Sequence, residues 1–186
     1  MLNNIFFFIN CFFVNNKIYI NFKLNKYQNI SSYDFTFIDM VNDESLKKIL
    51  LFPNKEFNSF NELSHDYHSF NWLQLAKKLG GANIVSDSKK LITNWNNRNY
   101  KINSFVWKKE IIAKRIINLI YHFDFFAGSL RRIDQQKFIT LIIKNYLILK
   151  LKVKFSSKKN IENIIIEKSL LLFDLTFGKD NKKFYE

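Results

Sequence analysis

Apolar residues recur at helical spacing through most of the chain from residue 69 onward. The clearest run is Ile112, Ile116, Leu119, Ile120 and Phe123, an i, i+4, i+7, i+8, i+11 stripe with Lys108, Lys114, Arg115 and Asn118 falling elsewhere. Upstream, Trp72, Leu73, Ala76 and Leu79 predict a helix capped by Ser69 and closed at Gly80 and Gly81. Ile84, Leu91, Ile92 and Trp95 predict another, opened near Ile84 or at an Asp87 cap and ending at about Arg98. Beyond Gly128, Asp134 is placed to cap a long helix striped by Phe138, Leu141, Ile142 and Leu149. Its tail, LILKLKVKF over 147–155, alternates as a strand would; its place in a row of helices favours helix. Asn160 then caps a last helix, with Ile161, Ile164, Ile165, Leu171, Leu172 and Leu175 expected inward and Gly178 closing it.

The first third of the chain reads differently. KIYINFKL over 17–24 alternates apolar and polar side chains, and YDFTFI over 33–38 is rich in aromatic and β-favouring residues, so both read as short strands joined by a turn at 29–32. A short helix over 44–51 ends before Pro53, and the polar stretch 53–67 is expected to be a loop. The division that follows is an appendage with short strands over 1–43 and a helical domain over 44–186. The expected fold is all-α, built of antiparallel helical hairpins, because consecutive helices with short loops must pack side by side. All four glycines and the one proline fall at predicted boundaries, where they cost least.

Composition changes the picture in one respect. Lys, Asn, Ile, Phe and Tyr fill more than half of the 186 positions, a bias toward residues with AT-rich codons that weakens any argument from composition. The net charge of +13 still directs the chain toward anions: an acidic polysaccharide, nucleic acid or an acidic membrane face. Only Arg98, Arg115, Arg131 and Arg132 among 29 basic residues are arginines, so the guanidinium fork that favours phosphate and base edges is scarce, and solvated surface charge is the expected place for them. Cys11 is the only cysteine, which excludes an internal disulfide and a thiolate zinc site. The amino terminus, MLNNIFFFINCFFVNN, lacks a basic leader and a small-residue cleavage site, and is too short for the ~20 apolar residues of a transmembrane helix. The default compartment is the cytoplasm.

Candidate chemistry is sparse. His65 and His68 stand three apart, but a zinc site wants a third protein ligand and none clusters with them, so no metal is expected. Nothing calls for a cofactor. Tyr121 and His122 sit on the strongest helix, although adjacent helical residues point about 100° apart and share one site awkwardly. Trp72, Trp95 and Trp107 suit sugar stacking if they face a cleft, yet at helical spacing they fit core packing better.

One order of motifs stands out: HSFNWL over 68–73, LGG over 79–81, Trp95 with NRN over 97–99, Trp107, then Ala113, Arg115, Ile116, Leu119, His122, Asp124 and Phe125. This order resembles the N-terminal helical region of heparinase II/III-like polysaccharide lyases, over roughly residues 50–178. The resemblance implies part of an α/α toroid that forms one wall of a sugar cleft, with a β-sandwich following it, and adds the periplasm as an alternative compartment. The implied activity is β-elimination of uronic-acid polysaccharide, which needs a neutralised carboxylate, a Tyr or His base and a protonated leaving oxygen. In the family those groups lie further along, so no catalytic residue carries over, and the chain is expected to be a front part, inactive alone, that works with a downstream β-sandwich lyase segment. Trp72, Arg98, Arg115, Tyr121 and His122 are the candidate substrate-binding residues. The competing expectation is a basic helical protein that binds nucleic acid or associates with the ribosome.

Overall fold

The structure, a computed structural model, describes residues 62–98, 105–155 and 163–177. The expected strands and appendage over 1–43, the helix over 44–51, most of the loop after it and the Asn160 cap lie outside the described residues. Those that are described form seven α-helices and one 3-10 turn, with no strand among them: α1 (Glu62–Ser69), α2 (Trp72–Leu79), α3 (Ala82–Arg98), the 3-10 turn (Phe105–Trp107), α4 (Lys109–Tyr121), α5 (Phe123–Ala127), α6 (Arg132–Lys154) and α7 (Asn163–Phe177).

α4 is the axle of the packing. It carries five isoleucines in ten positions, and a helix apolar nearly all round belongs inside a protein. Ile111, Ile112, Ala113, Ile116, Ile117, Leu119 and Ile120 are all buried, and α1, α6 and α7 each pack against α4. α2 packs on α3, and α3 on α5. The alternating tail of α6 is helical to Lys154, with Ile148 and Leu149 buried.

Four local expectations are corrected. Residues 62–69 are helical rather than loop, because Tyr67, His68 and Ser69 bury against α4 and the 3-10 turn, and burial outweighs the segment's polar composition. Ser69 therefore ends α1 instead of capping α2; its hydroxyl donates back to the Asp66 carbonyl over 3.4 Å. The break falls at Phe70, which takes φ +61° with its ring buried against Trp95 and Trp72, at centroid distances of 5.2 and 5.9 Å. Left-handed backbone at a bulky residue costs roughly 1–2 kcal/mol, which the ring's complete burial offsets. Gly80, at φ +65°, closes α2 as expected.

Asp134 lies inside the first turn of α6 rather than at its cap, where it pairs with Arg131 at 3.2 Å and Lys137 at 3.0 Å. On α7, Ile164, Leu171 and Leu175 face outward, 72, 56 and 36% exposed, although the periodicity placed them inside. Glu167, Lys168 and Asp174 lie exposed on that same side, and the face turned inward carries Ile166, Leu172, Phe173 and Phe177. Phe173 selects it: the ring stacks on Tyr146 of α6 at 3.7 Å and 9°. Ser169 and Thr176 come inward with it, and their hydroxyls are satisfied on the helix's own carbonyls of Ile166 and Leu172, both at 2.7 Å.

Candidate functional site

Two features distinguish the molecule chemically, one inside and one at the surface. The inner one centres on Arg115, whose side chain is completely buried on α4. Its Nε donates to Oδ1 of Asn145 on α6 over 2.8 Å. Nη1 donates to the carbonyl of His68 at 2.7 Å and, with Nη2, to the carbonyl of Val106 at 3.2 Å. The guanidinium carbon lies 4.1 Å from the Trp95 ring centroid and 4.9 Å from that of Trp107. Among the described residues no carboxylate pairs with this cation. Burial accordingly holds the Arg115 pKa well below its ordinary value. Carbonyl dipoles and indole faces take the place of a counter-charge, a task suited to the weakly hydrated, planar guanidinium.

The same node fixes a histidine. Trp95 Nε1 donates to Nδ1 of buried His68 over 2.9 Å. An indole nitrogen can only donate, so Nδ1 must hold a lone pair and His68 is neutral with its proton on Nε2. Asn145 completes the node by donating Nδ2 to the Leu141 carbonyl at 2.8 Å, which turns its oxygen toward Arg115. Half-buried Lys144, 5.6 Å from the Trp107 centroid, is pushed below the ordinary lysine value by burial and then by Arg115.

The second feature lies on the outer strip of α4. Lys114, Asn118 and Tyr121 are the partly exposed positions between its buried ones, spaced i, i+4, i+7 on one face. α1 borders the strip on one side. Asn118 Nδ2 donates to the Ser69 carbonyl at 2.9 Å and to Oδ1 of Asn71 at 2.8 Å, and Asn71 Nδ2 donates to Oδ1 of Asp66 at 2.6 Å. His65 stands next to Asp66, Nδ1 to Oδ1 4.0 Å, with 29% of its side chain exposed. Its pKa lies below the ordinary 6.5 through burial first and then Lys114, with Lys108 adding to the effect and Asp66 opposing it. α7 supplies Lys168, whose Nζ is 5.6 Å from the Tyr121 ring centroid.

The five residues singled out from sequence are dispersed. Trp72 is completely buried, its indole N–H directed to the Tyr67 carbonyl at 3.4 Å. It shares the aromatic cluster with Arg115 through Phe70, 6.0 Å from the guanidinium. The expected surface place for Arg115 is thereby corrected: the indoles and carbonyls around it make the interior hospitable to a guanidinium. His122 is buried where α4 turns into α5, its pKa lowered to about 4 by burial and then Lys77, whereas its neighbour Tyr121 is half-exposed on the outer strip. Arg98 is exposed at the last residue of α3. The sequence reading missed Asn145, Asn118 and the Asp66–Asn71 link; the one available signal was a polar Asn145 between apolar residues that a helix turns inward. Among the described residues no group of three His, Cys, Asp or Glu is placed to hold a metal ion, and no helix is long and apolar enough to cross a membrane.

No family model, curated protein or solved structure matches the chain.

Proposed function

We propose that the chain is the helical scaffold of a heparinase II/III-like protein and binds acidic, uronic-acid-containing polysaccharide. In this reading the helical hairpins form part of an α/α toroid. One observation carries it. Four of the residues on which the resemblance rests, His68, Phe70, Trp95 and Trp107, surround the guanidinium of a fifth, Arg115, at one buried node. Residues scattered over some 50 positions thus contribute to one cation's shell. The +13 charge supplies the attraction for a polyanion.

The chain's part is to bind and orient, with proton abstraction belonging to a β-sandwich lyase segment. Titrating the purified chain with polygalacturonate and with uncharged dextran tests this reading: saturable binding to the first alone is expected, and equal or absent binding contradicts it. Mixed with a β-sandwich lyase partner, the chain is expected to yield unsaturated uronate that absorbs in the ultraviolet.

A further inference from the structure

We infer that the strip of α4 between α1 and α7, lined by His65, Lys114, Asn118, Tyr121 and Lys168, is where a carboxylate-bearing sugar chain lies. This deepens the polysaccharide reading and rests on it. The strip joins the three kinds of group that such a ligand requires. Lys114 and Lys168 are cations from two different helices, and Lys168 stands over the Tyr121 ring. Tyr121 is half-exposed and adds aromatic surface to the strip for a sugar ring to pack beside. His65 adds a partly exposed imidazole beside Asp66, its pKa below the ordinary value through burial first and then Lys114.

The strip is also held in shape. Both N–H groups of the Asn118 amide are committed, to the Ser69 carbonyl and to Asn71, and Asn71 is committed in turn to Asp66. The α1–α2 junction and the outer face of α4 are thus tied together, and the Asn118 amide oxygen keeps acceptor capacity for a ligand hydroxyl. From Lys114 to Tyr121 the helix rises roughly 10 Å, enough to run beside more than one sugar ring. Burial first, then Lys114 and Lys108 against the opposing Asp66, depress His65, and an arriving carboxylate would offset the positive charge of the two lysines.

The test uses the full chain and polygalacturonate. Lys114→Gln with Lys168→Gln is expected to weaken binding at least tenfold, and Tyr121→Leu severalfold. Lys90→Gln with Lys137→Gln removes the same charge from surface pairs on α3 and α6 and is expected to change affinity less than twofold. In the unaltered chain, saturating polygalacturonate should raise the pKa of His65, read from its ring-proton resonance, and this rise should vanish in the Lys114/Lys168 variant. Equal losses in the two lysine pairs, or an unmoved His65, would place the polymer elsewhere and sink the strip while leaving the polysaccharide reading intact. Failure of the unaltered chain to bind polygalacturonate at all would remove both. Thermal unfolding of each variant separates lost binding from lost fold.

Discussion

Trp95 and His68 are joined by a 2.9 Å hydrogen bond from indole Nε1 to imidazole Nδ1, with both side chains buried and 27 residues apart in sequence. The bond ties α3 to α1, and it depends on a neutral imidazole. His68→Leu removes that acceptor, and a buried donor that loses its acceptor costs about 1–3 kcal/mol. A double-mutant cycle with Trp95→Phe, followed by urea unfolding, should return a coupling of about 1 kcal/mol. Additive losses would show that the two side chains do not sense each other.

Arg115 is expected to be the least replaceable residue in the helical body. Arg115→Met leaves the carbonyls of His68 and Val106 and the Asn145 oxygen without their donor, for a loss of roughly 3 kcal/mol or more by chemical denaturation. Arg115→Lys keeps the charge and still fails, because a compact ammonium lacks the planar fork that reaches three separated acceptors while facing both the Trp95 and Trp107 rings. Recovery of wild-type stability by lysine would contradict this account of the node.

Stability should fall in mild acid. Burial and then Lys77 hold His122 at about 4 in the folded state against 6.5 for an exposed histidine, so the unfolded chain takes up the proton first. The His122 contribution is complete above pH 6.5 and disappears between 6.5 and about 4, a loss of about 3 kcal/mol for a difference of this size. His65, lowered by burial and Lys114, adds a slope of the same sign. Unfolding free energies at stepped pH should decline over this window, and His122→Gln should flatten the decline.

The face that α7 buries is open to a paired substitution. Leu171→Gln, at a position 56% exposed, should stay within about 0.5 kcal/mol of the parent, whereas Leu172→Ala, at 6% exposed, should cost about 2–4 kcal/mol. The reverse order in thermal or urea unfolding would mean that α7 is rotated.

Helices were legible wherever a stripe contrasted with polar flanks. Ile112, Ile116, Leu119 and Ile120 announced α4, and Gly80 announced the end of α2, because periodicity and a left-handed stop are local signals. Faces were not legible where that contrast failed. On α7 the apolar Ile164, Leu171 and Leu175 sit among the charged Glu167, Lys168 and Asp174, and Phe173 stacked on Tyr146 marks the side that turns inward. The position of Arg115 was hidden for a related reason: a guanidinium belongs at the surface by hydropathy, and its indole and carbonyl shell comes from α1, α3, α6 and the 3-10 turn, segments that sequence spacing does not bring together. The outer strip shows the same limit, since His65 and Lys168 lie about a hundred positions apart in sequence on two helices that each pack against α4.

Competition between polygalacturonate and single-stranded RNA for the purified chain, at physiological salt, tests the central claim most directly. Polygalacturonate is expected to displace RNA, because scattered lysines hold a nucleic acid mainly through counterion release that salt suppresses, whereas the α4 strip adds hydroxyl and ring contacts that salt leaves in place. Displacement of polygalacturonate by RNA under the same conditions would contradict the polysaccharide reading and favour a nucleic-acid-binding helical protein.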